Sequence, residues 1–337
     1  MIPQSPIVTI FGGSGFVGRY IARRMARAGW RVRVAVRRPN EALFVRTYGV
    51  VGQVEPVLTN VRDTASVAAA LNGADAAVNC VGILAPMGKQ TFDAVQADGA
   101  ERVARLAKDA GVSRFVHVSA IGADVDSPAD YARTKGLGEA AVTSHQPRAV
   151  ILRPSIIFGT EDQFFNRFAG MARLSPAIPV IGPNTRFQPV FVDDVAAAAE
   201  KALVDGVEQG IYELGGPEVE TFRNLMKRML RVISRNRLIL GVPMPIARIQ
   251  GRVFSGLSYA TGGLFPAPFT YDQVLMLARD NVVSNGARGF GDLGVSPSAM
   301  AGILEDYLTP YRPYGQYARI TESAKNLRPG STIGNGQ

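Results

Sequence analysis

The chain has 337 residues, enough for one large domain with a smaller lobe or for two ordinary domains. Apolar residues make up 47% and charged residues 19%, which excludes a disordered chain and leaves a compact globular one. The formal charge of +9 fits anionic company, whether a phosphate-bearing cofactor, an acidic protein, nucleic acid or an anionic membrane, and equally a merely solvated basic surface.

A single cysteine, Cys80, rules out an intramolecular disulfide, and with no Cys/His cluster no metal is expected. The chain runs from Met1 straight into the strand-like IVTIF at 7–11, without the basic and apolar regions of a signal peptide. A reducing, cytoplasmic setting is the expectation. No apolar run reaches the roughly 18 residues a bilayer span requires, so any membrane association is expected to be peripheral.

In chain order, IVTIF, RVRVAV (31–36), VEPVL (54–58), ADAAVNCVG (74–82), RFVHVS (114–119) and RAVILRPS (148–155) read as six strands. Helix-like stretches start at Val17, Glu41, Asp63, Thr91 and Tyr131. Strands rich in Val and Ile without strict polar alternation are buried on both faces, the condition of a parallel sheet between helices. The expected fold class is therefore α/β, a doubly wound parallel sheet of Rossmann type.

Between the first strand and helix, Gly12, Gly15 and Gly18 form GxxGxxG, while Gly13, Gly15 and Gly18 also satisfy GxGxxG. With Ser14, Phe16 and Val17, this stretch is the expected pyrophosphate cradle. Its glycines admit a tight turn, and the helix from Phe16 aims its positive N-terminal end at the phosphates. The second strand ends in Arg37 and Arg38, where an NAD-specific domain would place a carboxylate on the ribose hydroxyls. A guanidinium pairs with a 2′-phosphate instead, so NADPH is expected, contacted by Arg37 or Arg38.

Ser119 ends the fifth strand, and Tyr131 and Lys135 stand four apart on the next helix, on one face. A lysine ammonium beside the phenol would lower its pKa, making Tyr131 a proton donor or acceptor with Ser119 on the substrate oxygen.

Beyond residue 155 the pattern loosens. EDQFFNRFAGMARL (161–174) reads as a helix, followed by a loop with four prolines, QPVFV (188–192), the helix DDVAAAAEKAL (193–203) capped by Asp193 or Asp194, and the strand IYELG (211–215). From Glu220 a basic amphipathic helix carries Arg223, Lys227, Arg231 and Arg235 at four-residue spacing, suited to anionic lipid headgroups, to an acidic partner or to solvent. Residues 241–270 read as irregular and apolar, a buried partner surface or membrane contact, with a substrate lid as the competing explanation. No aromatic-studded nucleic-acid motif is present, so no nucleic-acid partner is expected. The expected organisation is a dinucleotide-binding domain over 1–159 with a return at 186–215, a smaller C-terminal α/β lobe from 160–185 and 216–310, and an extended or disordered tail over 311–337.

The glycine loop with Ser119, Tyr131 and Lys135 resembles the atypical or extended branch of the short-chain dehydrogenase/reductases. That resemblance implies an active-site serine, tyrosine and lysine, here Ser119, Tyr131 and Lys135, and places RPSIIFG (153–159) near the nicotinamide. It further implies cofactor contacts from Asn60, Val61, Cys80, Val81, Gly82, Pro154, Ser155 and Ile157; Asn60 stands where an acidic adenine contact is common.

RPSIIFGTEDQFFNRFA, FQPVFVDDVAAA, PAPFTYDQVLMLARDNVV and FGDLGVSPSAM resemble, more narrowly, the nucleotide-binding accessory subunits of respiratory complex I, over about residues 5–310. What this implies is a tightly held NADPH, other complex I subunits near the quinone site as partners, and a structural role without turnover. The location implied is peripheral, on the cytoplasmic side of a bacterial inner membrane. An active NADP-dependent reductase or epimerase using Ser119, Tyr131 and Lys135 stays open beside it.

Overall fold

The computed structural model describes residues 5–260 and 269–313. Six strands come first: β1 Ile7–Phe11, β2 Arg31–Val36, β3 Val54–Leu58, β4 Ala76–Asn79, β5 Arg114–Val118 and β6 Val150–Pro154. Short strands follow, β7 Ile157–Phe158, β8 Ala177–Ile181, β9 Arg186–Phe187 and β10 Val190–Phe191, then β11 Gly210–Leu214, β12 Glu220–Thr221 and β13 Leu238–Val242. A seven-stranded sheet in the order β11-β6-β5-β4-β1-β2-β3 has every neighbouring pair parallel. Pro56 is accommodated because β3 lies at the edge, where a missing amide breaks no ladder.

Helices cover both faces. Val8 and Ile10 of β1 and Val32 and Val34 of β2 pack against α1 (Phe16–Arg27) and a later helix, Val192–Val204. On the other face Phe11, Ala35 and Phe115 meet α2 (Thr64–Leu71), α3 (Asp98–Asp109) and α4 (Asp130–His145). Alternate residues of one strand thus pack on opposite faces of the sheet, as the period of two requires.

The segment expected as a helix from Glu41 is 3-10 over Pro39–Tyr48. Its buried residues, Ala42 and Val45, are three apart and match three residues per turn.

A second core lies under α5 (Phe165–Leu174), α7 (Phe222–Val232) and α10 (Met300–Leu308), with the Val192–Val204 helix as α6 between them in the chain. Phe158, Phe165, Phe187 and Phe222 are buried there, and Phe164 stacks on Phe222 at 5.4 Å between ring centres. α8 (Met244–Ala260) and α9 (Tyr271–Met276) share a small third core of Ile181, Ala247 and Val274.

Four expectations need correction. Asp193 and Asp194 lie inside the first turn of α6 instead of capping it; Asp193 holds Arg24 and Asp194 takes the backbone amide and hydroxyl of Ser298. The stretch expected to be irregular holds the end of β13 and α8. Pro245 falls in the first helical turn, where no amide is needed, and a Cβ on Gly251 would stand 3.0 Å from Tyr271 Cα, so α9 packs directly on that glycine. Arg235 lies past the end of α7, its Nε donating to the Tyr311 carbonyl at 2.9 Å. Tyr311 itself belongs to the 3-10 turn Thr309–Tyr311 and packs on the second core; the rest of the expected tail, 314–337, and residues 261–268 lie outside the described residues.

Candidate functional site

Because the main sheet is parallel, the carboxyl ends of its strands open on one edge. Gly12–Gly18 follow β1, Arg37 and Arg38 follow β2, Asn60 and Val61 follow β3, Cys80–Gly82 follow β4, Ser119 follows β5, and Pro154 and Ser155 close β6. Ile157 starts β7, while Tyr131 and Lys135 sit on α4. The chain crosses from β3 to β4 on the far side of β1, so the strand order reverses between β1 and β4, the place where a doubly wound sheet binds its ligand.

The glycine loop is built from backbone. The Gly12 amide donates to Ala35 at 3.0 Å, the Gly15 amide to Gly12 at 2.9 Å, and Gly12 has φ +77°, a region that favours glycine. A Cβ on Gly18 would stand 2.4 Å from the Gly12 oxygen and 2.7 Å from Gly13 Cα, so only glycine lets α1 press against the loop. The α1 terminus has no side-chain cap and no acidic residue in its first turn. Its positive end is left for an anion, as a pyrophosphate requires.

Arg37 and Arg38 are both exposed. Arg38 is paired with Glu41 at 3.0 Å, whereas Arg37 has no acidic partner among the described residues. Asn60 turns its side-chain oxygen inward onto the Arg62 amide at 3.1 Å, and the neighbouring Thr59 hydroxyl is buried without a partner. The Val61 carbonyl takes Arg102 Nη1 at 2.8 Å. Burial pushes the Cys80 thiol up to about 12, so its sulfur is inert at neutral pH and its backbone lies at that edge. The Ser155 hydroxyl is engaged with Asn281, 2.8 Å from its carbonyl and 2.7 Å from its side-chain oxygen.

Around α4 the structure exposes contacts that spacing did not. Lys135 is buried, its Nζ 3.0 Å from the Val118 carbonyl and 3.5 Å from where a Cβ on Gly82 would be, and burial lowers its pKa to about 8. The Ser119 hydroxyl is buried with no partner. Below it, His117 is held to Asn79 at 3.3 Å, its Nε2 is unpartnered, and burial with the Lys135 charge drops it to about 3. Tyr131 runs against expectation: burial first and the Asp272 carboxylate second push its phenol up to about 12. Asp272 also accepts the Tyr131 amide at 3.2 Å, so α9 is docked on the start of α4.

His117 is a packed core histidine on an apolar strand, as its sequence context implies, whereas Asp272, Asn79, Thr59 and Asn281 carry no such signal in the sequence. Asp272 lies 141 residues from Tyr131 and Asn281 lies 126 from Ser155, and no local pattern links such pairs.

A pH dependence follows from Lys135. Between about pH 8 and 10.5 the folded chain has released a proton that the unfolded chain still holds. The Lys135 contribution to stability should rise with pH across that window, by up to about 3 kcal/mol, against the opposite contribution of the Cys80 thiol and the Tyr131 phenol, both pushed up to about 12 by burial. In urea titrations the parent chain should therefore gain stability relative to Lys135→Met between about pH 8 and 10.5; a difference that stays constant with pH would contradict the burial of Lys135.

The residues present fit a dinucleotide: an uncapped helix end, a glycine loop pressed so close to α1 that Gly18 has no room for a Cβ, and orphaned Ser119 and Thr59 hydroxyls on the same edge. Residues 12–163 match the family model described as NAD(P)H-binding. The NADPH-dependent quinone oxidoreductase of Escherichia coli, solved with NADPH, shares the fold at a TM-score of 0.68, with 17% identity over 89% of this chain and 99% of that one. The ceramide reductase of Caulobacter vibrioides is 31% identical over 76% of this chain and 79% of its own length. The mitochondrial NADH dehydrogenase [ubiquinone] 1 alpha subcomplex subunit 9 of Arabidopsis thaliana is 34% identical over 95% of this chain and 81% of its own length. The chain thus belongs to the family of the NADH dehydrogenase [ubiquinone] 1 alpha subcomplex subunit 9 proteins, on a short-chain dehydrogenase/reductase-like fold.

Proposed function

We propose that the chain is an accessory subunit of a proton-pumping NADH:ubiquinone oxidoreductase, complex I, that retains NADPH as a structural ligand. The observation that carries this reading is near full-length similarity to a subunit of that enzyme, joined to an intact nucleotide cradle. A ligand that binds only the folded chain adds stability by mass action. The backbone from Gly12 to Gly18 would hold the pyrophosphate and Arg37 the 2′-phosphate, with Arg38 shared with Glu41. Asn60, Val61, Cys80, Val81 and Gly82 would line the adenosine side, and Ser119, Tyr131, Lys135, Pro154, Ser155 and Ile157 the nicotinamide end. Its partners would be complex I subunits near the quinone site, with the C-terminal lobe toward the anionic cytoplasmic face of a bacterial inner membrane. No described helix is long and apolar enough to cross that membrane.

A second reading, an NADP-dependent reductase, is favoured by the ceramide reductase similarity and by the intact Ser119, Tyr131 and Lys135. Bound NADPH supplies a hydride. The chain's own part would be proton delivery from Tyr131, and a phenol pushed up to about 12 is a weak donor near neutral pH.

Copurification separates the two. A C-terminally tagged chain, solubilised in mild detergent, should emerge stoichiometrically with an NADH:quinone oxidoreductase and carry NADPH through chromatography. Recovery of the chain alone, free in the soluble fraction, overturns the accessory reading. In the assembled enzyme Tyr131→Phe should leave NADH oxidation within about twofold of the parent, whereas a proton donor would lose roughly 10²-fold or more of carbonyl reduction. Replacing Arg37 and Arg38 together by Ala should lower NADPH content about tenfold while sparing NADH affinity, since each charged contact is worth about 1.5–3 kcal/mol. Unchanged NADPH content would remove both arginines from the 2′-phosphate.

A further inference from the structure

The outer face of α7 is basic and lacks acids. Leu225, Met226 and Met229 enter the second core, which turns Arg223, Lys227 and Arg231 outward. Arg228, on another side, is neutralised by Glu218 and Glu220, while Arg223, Lys227 and Arg231 have no acidic partner among the described residues. The helix dipole explains Arg231 in the last turn but opposes Arg223 in the first, where no acid offsets it.

Two more cations come from the turn after α7. Ser234 takes the left-handed conformation, φ 51°, and the Arg235 amide closes back on Leu230 at 3.0 Å, so the chain reverses sharply toward β13. Arg235 and Arg237 are braced by backbone carbonyls, Arg235 Nε on Tyr311 at 2.9 Å and Arg237 Nε on Ala172 at 2.7 Å. Those contacts position the guanidinium groups without cancelling their charge. The result is an open groove of about 780 Å³ between α7 and β13, into which these five cations converge.

The groove is not purely polar. Leu238 borders it and is 63% exposed. Past Arg223 it meets a second hollow of about 430 Å³ lined by Pro183, Val242 and Met244. α8, which starts there, leaves Ile246, Ile249 and Val253 exposed at positions i, i+3 and i+7, one stripe of a helix. A soluble polyanion would be satisfied by the cations alone. Cations beside an exposed aliphatic stripe match an amphiphile with an anionic head.

We propose that the groove between α7 and β13 seats the phosphate headgroup of an anionic phospholipid, with the exposed aliphatic side chains of β13 and α8 against its acyl region. The proposal deepens the membrane-side placement given above. It is tested on the purified chain alone, so its failure and the failure of complex I membership are separable.

The test is flotation of the full-length, NADPH-loaded chain with vesicles of phosphatidylcholine alone and of an equimolar mixture with phosphatidylglycerol. The chain should float with the anionic vesicles only and be released by high salt. Reversing two exposed charges, Lys227→Glu with Arg231→Glu, should reduce binding by roughly tenfold or more. Ile249→Ser, at a solvent-facing position, should weaken binding by about fivefold or less and leave its salt dependence in place. NADPH content and thermal midpoint report that each variant is folded. Equal flotation on neutral vesicles, or full binding by the charge-reversed chain, overturns the proposal. So does failure of the folded parent to float: binding of inorganic pyrophosphate would then mark the groove as a soluble-phosphate site, and its absence would leave an acidic protein surface as occupant.

Discussion

Gly18→Ala is expected to empty the nucleotide cradle and to destabilise the chain by about 3 kcal/mol. The added methyl carbon would stand 2.4 Å from the Gly12 oxygen and 2.7 Å from Gly13 Cα, both backbone, so no side chain can swing aside. The first turn of α1 must move off the loop, and its amides then no longer converge on a pyrophosphate. Gly302→Ala in α10 is the matched control: nothing lies within 4 Å of its Cβ, and alanine should stabilise that helix by up to about 1 kcal/mol. Nucleotide content after gel filtration and the urea midpoint measure both effects. Retention of stoichiometric NADPH by Gly18→Ala would show that the loop is not the cradle.

The largest stability effect should come from Arg153→Met, about 3–5 kcal/mol. Arg153, on β6, makes a two-pronged contact with Glu139 of α4, 2.9 Å from Nε and 2.6 Å from Nη2, and lies 3.7 Å from Glu213 of β11. Glu139 is 5% exposed and Glu213 8%, so removing the guanidinium strands two buried carboxylates. Glu213 also accepts the Ser284 amide at 2.7 Å, which ties a later segment of the chain to the same network. Adding Glu139→Gln to Arg153→Met should recover part of the loss, because a neutral amide is cheaper to leave unpaired. A urea midpoint shift corresponding to less than about 1 kcal/mol for Arg153→Met would mean that water replaces the arginine.

How far each feature was legible depended on how local its cause is. The strands at 7–11, 31–36, 54–58 and 114–118 follow from runs of Val and Ile bounded by turns, and the structure has strands there with the same bounds or within a residue. The region expected to be irregular turned out to hold α8, because Pro245 suits a first turn and Gly251 packs on Tyr271, a contact invisible along the chain. The four-residue spacing of Arg223, Lys227 and Arg231 was plain in the sequence. That Arg235 leaves the helix, and that Arg237 and Leu238 return to close a groove, depends on the left-handed turn at Ser234 and the pairing of β13 with β8.

By itself the sequence determined the parallel sheet, the glycine cradle and the helical spacing of Tyr131 and Lys135, since each depends on backbone periodicity within one or two elements. The tertiary structure alone decided the electrostatics of those same residues. It buried Tyr131 and set Asp272, from a helix 141 residues away, beside it, and so raised a phenol that the neighbouring lysine was expected to lower. It buried Lys135 and His117 together and left Arg37, not Arg38, without an acidic partner among the described residues. The physical reason is that a charge's free energy depends on what lies within a few ångströms in every direction, and most of those neighbours are brought there by the fold, not by the chain.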